Sequence, residues 1–339
     1  MSNSEPVLEV EDLSATWGRQ QVLETVSFSV EEGQLAVLLG PNGSGKTTLL
    51  RCLAGLEPLT GGRIRLGGRD LAGIPPHRRE IALMFQDPAL FPHRTVFENI
   101  AYAPLLRRRP RAEVDADVDR LVALLGLAGL EDRMPAALSG GERQKVALAR
   151  TLAARPRVIL LDEPFASIDV EGKAELRAEF RRVLRTLGTT ALHVTHDREE
   201  GFFLGDQVGL LFDGHLATWG TPSAVYERPS GPRAARFLGY NVLEGPTGPV
   251  AVAPADLEVD PNPSARREYL VVASGTVGRE AMVILRGPSE ERVELRAPEP
   301  YDRPPVGGSV ALTWQRSRSL PSETDPPQMA KRSAVLGSP

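Results

Sequence analysis

The segment from Gly40 to Thr48, with the sequence GPNGSGKTT, constrains the fold of this chain more than any other. It follows an apolar run that predicts a buried strand, and it precedes leucines at helical spacing. Strand, glycine-rich loop, Lys-Thr and helix together form the context that a phosphate-binding loop requires. The glycines let several backbone N–H groups face one anion, and the helix adds its N-terminal dipole. The segment therefore predicts a nucleotide site, with Lys46 at the β- and γ-phosphates and Thr47 as a hydroxyl ligand of Mg2+.

The bulk composition is that of an ordinary globular protein of about two domains. The 339 residues are 41% hydrophobic and 25% charged, with a net charge of −4. The small net charge gives no indication of nucleic acid or anionic lipid as a purely electrostatic partner. The apolar runs are strand-sized, and Met1–Pro6 has no apolar signal segment, so the sequence predicts no membrane span. Cys52 is the only cysteine, which excludes an internal disulfide and favours a reducing compartment.

Polar residues follow three further predicted strands. Asp162 and Glu163 come after a strand at 158–161, Gln86 after one at 81–85, and His196 ends one at 190–196. In open parallel sheets ligands bind at the carboxyl ends of the strands. Asp162 is therefore predicted to hold Mg2+, usually through water, and Glu163 to act as base on the attacking water or to orient it. A histidine in the position of His196 can donate to a phosphate oxygen.

Residues from about 94 to 154 predict a helical insert within the α/β unit. Apolar spacing predicts helices over 114–125 and 142–153. The second helix follows Leu-Ser-Gly-Gly-Glu, in which Ser139 and Glu142 have the spacing of a capping box. A capped helix start with two glycines is also suited to bind an anion.

Two regions remain open on the residues alone. Trp17, in a predicted turn, is either a core residue or a flat surface on which a purine base stacks. From about Asn241 the chain changes in texture, since residues 241–339 hold 14 of its 29 prolines. Short strand-like runs separated by turns predict a small β-barrel or sandwich, and the composition after Ser319 predicts a disordered tail.

These motifs, in this order, resemble the ATP-binding cassette ATPases over about residues 1–240. The implied fold is an α/β phosphate-loop NTPase, with a RecA-like core, an antiparallel β subdomain and a helical insert at about 90–154. Residues 241–320 look like the OB-like β-barrel accessory domain of bacterial importer ATPases, and 321–339 form the tail. An ATPase of DNA repair is disfavoured, because the sequence has no long coiled-coil insertion. A translation ATPase is disfavoured, because such proteins usually carry two cassettes in one chain and this sequence has one. A regulatory binding module is disfavoured by the presence of Glu163 and His196, and a GTPase by the missing Asn-Lys-x-Asp.

The resemblance implies a role for each matching residue, with ATP and Mg2+ as the bound species. Ser139, Gly140 and Gly141 would bind the γ-phosphate of ATP held by a second protomer, and Asp169 would cross the dimer interface. The implied catalytic residues are Glu163, His196, Gln86 and Lys46, and the implied metal site comprises Thr47, Gln86 and Asp162. The implied nucleotide-binding residues are Trp17 (stacked on adenine), Gly40, Pro41, Asn42, Gly43, Ser44, Gly45, Lys46, Thr47, Thr48, Ser139, Gly140, Gly141 and Asp169.

The resemblance also implies partners and a location. It implies a homodimer on the cytoplasmic face of the inner membrane, bound to permease subunits and, through them, to an extracytoplasmic solute-binding protein. The helical insert would carry the docking groove, and Gln86 would couple the site to the permease; nucleic acid is not an expected partner. The His93–Thr95 region and the absence of a second β lobe favour an inorganic ion (iron, sulfate or molybdate) or a polyamine over a sugar.

Several positions depart from the family pattern. Ile168 and Gly201 stand where Leu and Ala are usual, and Lys145 replaces a frequent Arg, but none of the three removes a catalytic group. Ala253 and Ala255 stand where Arg and Glu are usual, which makes ligand sensing by the C-terminal part doubtful.

Overall fold

The computed structural model describes residues 6–260 and 268–321, and these fall into two compact units divided after Pro222. Each unit has its own hydrophobic core. Residues 322–339 of the tail that the sequence predicts to be disordered lie outside the described residues.

The first unit contains two sheets and six helices. Its strands are β1 (Leu8–Trp17), β2 (Gln20–Val30), β3 (Leu35–Leu39), β4 (Gly61–Leu66), β5 (Arg69–Asp70), β6 (Ile81–Met84), β7 (Val158–Asp162), β8 (Thr190–Thr195), β9 (Gln207–Phe212) and β10 (His215–Gly220). Its helices are α1 (Lys46–Ala54), α2 (Val96–Leu106), α3 (Arg111–Leu124), α4 (Gly140–Ala153), α5 (Val170–Thr186) and α6 (Arg198–Leu204). One sheet is antiparallel, in the order β2-β1-β4-β5, and the other has the order β10-β9-β3-β8-β7-β6.

The six-stranded sheet positions the predicted site residues. All its pairs are parallel except β9–β10, and every residue of β3 and β7 is buried, as expected of strands covered on both faces. Leu39 pairs with Thr195, and Asp162 pairs with Val194. The carboxyl ends of β3, β7 and β8 therefore lie side by side at one edge.

The helical insert lies between β6 and β7 and consists of α2, α3 and α4. The predicted helices at 114–125 and 142–153 correspond to α3 and α4. Helix α2 has no counterpart among the predicted helices, and Pro104 within it is atypical of a helix interior. The capping box predicted at Ser139 and Glu142 is present, with both reciprocal hydrogen bonds.

After two short α-helices, the described part of the second unit consists of β-strands, with one short 3-10 helix at Pro254–Asp256. The two α-helices are α7 (Pro222–Glu227), at the division, and α8 (Pro232–Leu238). The strands are β11 (Asn241–Gly245), β12 (Gly248–Val252), β13 (Leu257–Asp260), β14 (Glu268–Val277), β15 (Glu280–Arg286), β16 (Arg292–Pro298), β17 (Ser309–Trp314) and β18 (Arg318–Ser319). They form sheets in the orders β11-β12-β18 and β13-β17-β14-β15-β16. The all-β character predicted for this part of the chain is confirmed.

Candidate nucleotide-binding site

The phosphate loop runs from the end of β3 to the start of α1. Gly43 and Gly45 have φ values of +80° and +104°, in the region that favours glycine. Gly40 lies against the backbone of a neighbouring strand, since a Cβ there would approach the Leu211 carbonyl oxygen to 2.3 Å. These three positions therefore require glycine, for two different physical reasons.

Lys46 is the first residue of α1, and its ammonium group lies inside the loop. The Nζ atom donates to the carbonyls of Gly40 and Pro41 at 2.9 and 3.0 Å, and the residue is 5% exposed. Burial lowers the pKa of Lys46, although the nearby Glu163 and Asp162 carboxylates act to raise it. The ammonium is thus poorly solvated, and a phosphate in the loop would stabilise its charged form.

Asp162 is the last residue of β7 and is 6% exposed. Its Oδ1 accepts a hydrogen bond of 3.1 Å from the Thr47 hydroxyl. Burial raises the pKa of Asp162, and the Glu163 carboxylate acts in the same direction, whereas the Thr47 hydrogen bond opposes it. A buried carboxylate beside a hydroxyl supplies the hard oxygen ligands that Mg2+ prefers, so the pair fits the predicted metal.

Glu163 is held between two strand ends and lies beside the side chains of Lys46 and His196. Its φ of +44° is unusual for a non-glycine residue, and its N–H donates to the Val194 carbonyl at 3.1 Å. One carboxylate oxygen lies 3.0 Å from His196 Nδ1, and the other lies 3.9 Å from Lys46 Nζ. Such backbone conformations cluster at functional sites, where the surrounding structure holds them in place. The structure thus brings the phosphate loop, Asp162, Glu163 and His196 together.

The Ser139 region lies elsewhere in the same chain. Ser139, Gly140, Gly141 and Asp169 line a cavity of about 450 Å³ to which no phosphate-loop residue contributes. Ser139 Oγ accepts from the Glu142 N–H at 3.2 Å, and the Ser139 N–H donates to the Glu142 carboxylate at 2.6 Å. These hydrogen bonds lower the pKa of Glu142. The two predicted halves of the nucleotide site are therefore separate within one chain.

Gln86 and Trp17 are exposed. The Gln86 carbonyl accepts a 3.2 Å hydrogen bond from Gln144 of α4, which ties the segment after β6 to the helical insert. Trp17 is 60% exposed at the end of β1, so the interpretation of this residue as part of the core is wrong. Of the two interpretations of Trp17, the stacking of a purine base is the one that fits an exposed ring.

Sequence reasoning missed two polar residues beside the site. Gln144 is fully buried, and Arg177 of α5 contacts the segment after His196. Arg177 lies between buried Leu176 and Phe180, and this charged residue on the apolar face of α5 was the signal that it has a partner in the interior.

Two features are absent from residues 6–260 and 268–321. No cluster of three or more His, Cys, Asp or Glu side chains in these ranges has the arrangement of a metal site. None of the helices in these ranges is both long and apolar enough to span a membrane.

A family model described as "ABC transporter" matches residues 23–166. An Fe(3+) ions import ATP-binding protein of Streptomyces coelicolor is 49% identical over 239 residues, which are 70% of this chain and 69% of the relative. A molybdate/tungstate import ATP-binding protein of Pyrococcus horikoshii is 43% identical over 255 residues, or 75% of this chain and 74% of the relative. A sulfate/thiosulfate import ATP-binding protein of Nocardia farcinica is 39% identical over 294 residues, or 86% of this chain and 88% of the relative.

A solved structure supports the same fold. The chain resembles cbiO1 of Clostridium perfringens, described as part of an ABC transporter complex, with a TM-score of 0.61 and 28% identity. The match covers 66% of this chain and 91% of that chain. The match therefore covers most of that chain, and about a third of the present chain lies outside it.

Proposed function

The chain belongs to the ATP-binding cassette (ABC) transporter family as an ATP-hydrolysing subunit. From this premise we propose that two copies of the chain share each nucleotide site and that they power import through a membrane permease. The observation that carries the proposal is the convergence of Lys46, the Thr47–Asp162 pair and the Glu163–His196 pair at one sheet edge. This arrangement supplies a cation for phosphate, oxygen ligands for a metal and a base beside a hydrogen-bond donor.

Each group has a part in hydrolysis that its contacts support. Lys46 and the loop N–H groups bind the β- and γ-phosphates, and the Lys46 ammonium is then paired with their charge. Glu163 accepts a hydrogen bond from the attacking water and orients it or takes its proton. His196 is 49% exposed and is hydrogen bonded to Glu163 through Nδ1, and its other ring nitrogen, Nε2, would donate to a γ-phosphate oxygen when the imidazole is protonated. Gln86 would contact the metal and the water once nucleotide is bound.

Mg2+ would be held by Thr47 and Asp162, with Gln86 as a further ligand. When bound, the ion neutralises charge on the phosphate oxygens. Trp17 would stack on adenine, which suits its exposed ring.

A second copy would complete each site. Ser139, Gly140 and Gly141 begin α4, whose N-terminus is suited to a phosphate oxygen, yet they lie apart from the phosphate loop of their own chain. ATP between the two would join the protomers, since one pair of unit charges about 4 Å apart contributes on the order of 4 kcal/mol at an effective dielectric near 20. Hydrolysis would remove these contacts and open the interface. Asp169, in the same cavity as Ser139, would cross that interface.

The wider assignment rests on the relatives. We propose an inorganic ion as the transported solute, because relatives are named for import of Fe(3+), molybdate/tungstate and sulfate/thiosulfate. The permease would dock on the helical insert, at the inner face of the cell membrane. Residues 1–240 would form the nucleotide-binding domain, and 241–320 the accessory domain.

Glu163→Gln tests the catalytic assignment. The variant should bind ATP with unchanged affinity, lose at least about 100-fold in turnover and accumulate as an ATP-bound dimer, because it removes the acceptor for the water proton. A nucleotide-binding titration, an ATPase assay and light scattering with and without ATP measure the three properties in turn. Glu24→Gln is the matched control, since it changes an exposed glutamate 3.5 Å from a histidine and should hydrolyse ATP normally. Near-normal hydrolysis by Glu163→Gln would contradict the proposal.

The solute is tested by uptake. Cells that carry the native gene should accumulate one of labelled ferric ion, molybdate or sulfate, and cells that carry the Glu163→Gln allele should not. Uptake of a polyamine or a sugar, with none of the three ions, would contradict the assignment of an inorganic ion.

A further inference from the structure

Helix α6 directly follows His196 and is anchored by two carboxylates. Asp197 caps the helix, with Oδ1 accepting from the Glu200 N–H at 3.1 Å. Glu200 is 2% exposed, and its Oε1 lies 2.5 Å from His193 Nε2 on β8. The position of His196 is thus tied to two acidic side chains within four residues of it.

Arg177 of α5 contacts both carboxylates. Its Nε and Nη2 lie 3.2 and 3.1 Å from Glu200 Oε2, and Nη2 also donates to Asp197. The Arg177 side chain is only 10% exposed, so this contact is largely withdrawn from water. A planar guanidinium can donate to two acceptors at once, which a lysine ammonium does with less geometric definition.

Charge balance assigns the compensating cation. His193 Nε2 lies 2.5 Å from Glu200 Oε1, and its Nδ1 is buried without a hydrogen-bond partner among the described residues, so Glu200 is the one polar partner of this ring. Arg177 and Lys173 then balance the two carboxylates, with Lys173 Nζ 3.6 Å from Asp197. Burial would raise the pKa of Glu200, but its hydrogen bond to His193 and the charge of Arg177 outweigh burial and lower it.

The N-terminal end of α5 lies in the proposed second half of the nucleotide site. Asp169 is the N-cap residue of α5 and lines the same cavity as Ser139. Arg177 lies eight residues later, or about 12 Å along the helix axis. Phe165, in the turn after Glu163, packs edge-on against His193 at a centroid distance of 5.8 Å. The cluster of Arg177, Asp197, Glu200 and His193 therefore contacts α5, β8, α6 and the Glu163 turn.

We propose that Arg177 is a positioning residue that joins α5 to α6 and thereby fixes His196 relative to Glu163. A displacement of α5 at its Asp169 end, where the partner protomer would bind, would then reach His196 through the guanidinium. The inference rests on the proposed roles of His196 and Glu163. It goes beyond them because Arg177 lies outside the nucleotide site. We assign to this residue the control of the His196–Glu163 contact within the site.

Arg177→Lys tests the proposal in the full-length chain. The variant keeps the charge and loses the two-acceptor fork, so kcat for ATP should fall about tenfold while the Kd of ATP changes less than about twofold. The imidazole resonances of His196, assigned with His196→Ala in histidine-labelled protein, should shift. Arg185→Lys is the matched control, because Arg185 is an exposed arginine of the same helix that pairs with an aspartate outside it, Asp206, and the change should leave both readouts unchanged.

A second variant tests the proposal in case Arg177→Lys does not fold. Arg177→Met combined with Glu200→Gln removes both charges, so no buried carboxylate is left without a cation, and it should show the same fall in kcat and the same His196 shift. A folded variant with wild-type kcat, or one with reduced kcat and unmoved His196 resonances, would overturn the positioning role. A wild-type protein that does not hydrolyse ATP would instead contradict the proposed function, so the two failures are distinguishable.

Discussion

Gly201 lies against the side chain of Leu39, which leaves no space for a larger residue at position 201. The residue lies in α6, where a Cβ would come within 2.7 Å of Leu39 Cδ2 and 2.8 Å of Leu39 Cγ. Leu39 is fully buried immediately before the phosphate loop, so its side chain has little space to retreat. An alanine at position 201 would therefore require the Leu39 side chain to shift.

Gly201→Ala should lower the free energy of unfolding by about 1–2 kcal/mol, because the added methyl group overfills the contact. Leu39→Val in the same chain should recover most of the loss. Chemical denaturation measures both, and Gly275→Ala, where a Cβ has open space, is the control. If Gly201→Ala were as stable as the wild type, the steric explanation would be wrong.

Among the elements, α1 depends on an arginine that lies outside it. Arg79 Nη1 donates to the carbonyls of Cys52 and Leu53 at 2.9 and 3.0 Å, and its Nε donates to the Ile74 carbonyl at 2.9 Å. The last carbonyls of a helix lack partners within it, and a cation near them also interacts favourably with the helix dipole. Arg79 thus stabilises the end of the helix whose other end forms the phosphate site.

Arg79→Ala should reduce the free energy of unfolding by about 1–2 kcal/mol, since it removes the donor to the Leu53 and Ile74 carbonyls, whereas the Cys52 carbonyl keeps the Gly55 N–H. The neighbouring Arg78→Ala, which changes an exposed arginine, should have little effect. Equal stability of the two variants would contradict the capping role.

The α5–α6 contact should respond to acid in a defined direction. The pKa of Glu200 in the folded protein is lowered from its ordinary 4.5, so the stabilisation is fully present above pH 4.5 and is lost as the pH falls through the lower folded-state value. At neutral pH Glu200→Gln should cost about 2 kcal/mol of unfolding free energy, and the difference from wild type should shrink below pH 4.5. Denaturation series at several pH values measure this difference. A constant difference, or one equal to that of the exposed Glu113→Gln, would contradict the assignment.

Sequence reasoning was most successful where the signal is local. The loop after β3 and the acids after β7 are adjacent in the sequence to the strands that position them, so their convergence followed from the rule for parallel sheets. The contacts of Arg177 with Glu200, and of Arg79 with α1, join residues more than twenty positions apart. The spacing of apolar residues along the sequence does not predict such pairs, because they depend on how helices pack on the sheet.

For the protein as a whole, the separation of Ser139 from the phosphate loop is the main consequence of the fold. Lys46, Glu163 and His196 belong to the sheet edge, whereas Ser139 and Asp169 share a cavity with no phosphate-loop residue. A pair of chains related by two-fold symmetry would contain two equivalent sites, each with residues from both copies. The resemblance to the ATP-binding cassette ATPases implied this division, and the fold of one chain is consistent with it.

Mixing two inactive variants tests the shared site most directly. Lys46→Ala removes the phosphate-binding cation, and Ser139→Arg blocks the segment proposed to act on the partner's nucleotide, so each variant alone should lack ATPase activity. In a mixed dimer one site combines the intact phosphate loop of the Ser139→Arg chain with the intact Ser139 of the Lys46→Ala chain. Random pairing should therefore restore about a quarter of the wild-type rate. No recovery on mixing, or full activity of Ser139→Arg alone, would contradict a nucleotide site built from two chains.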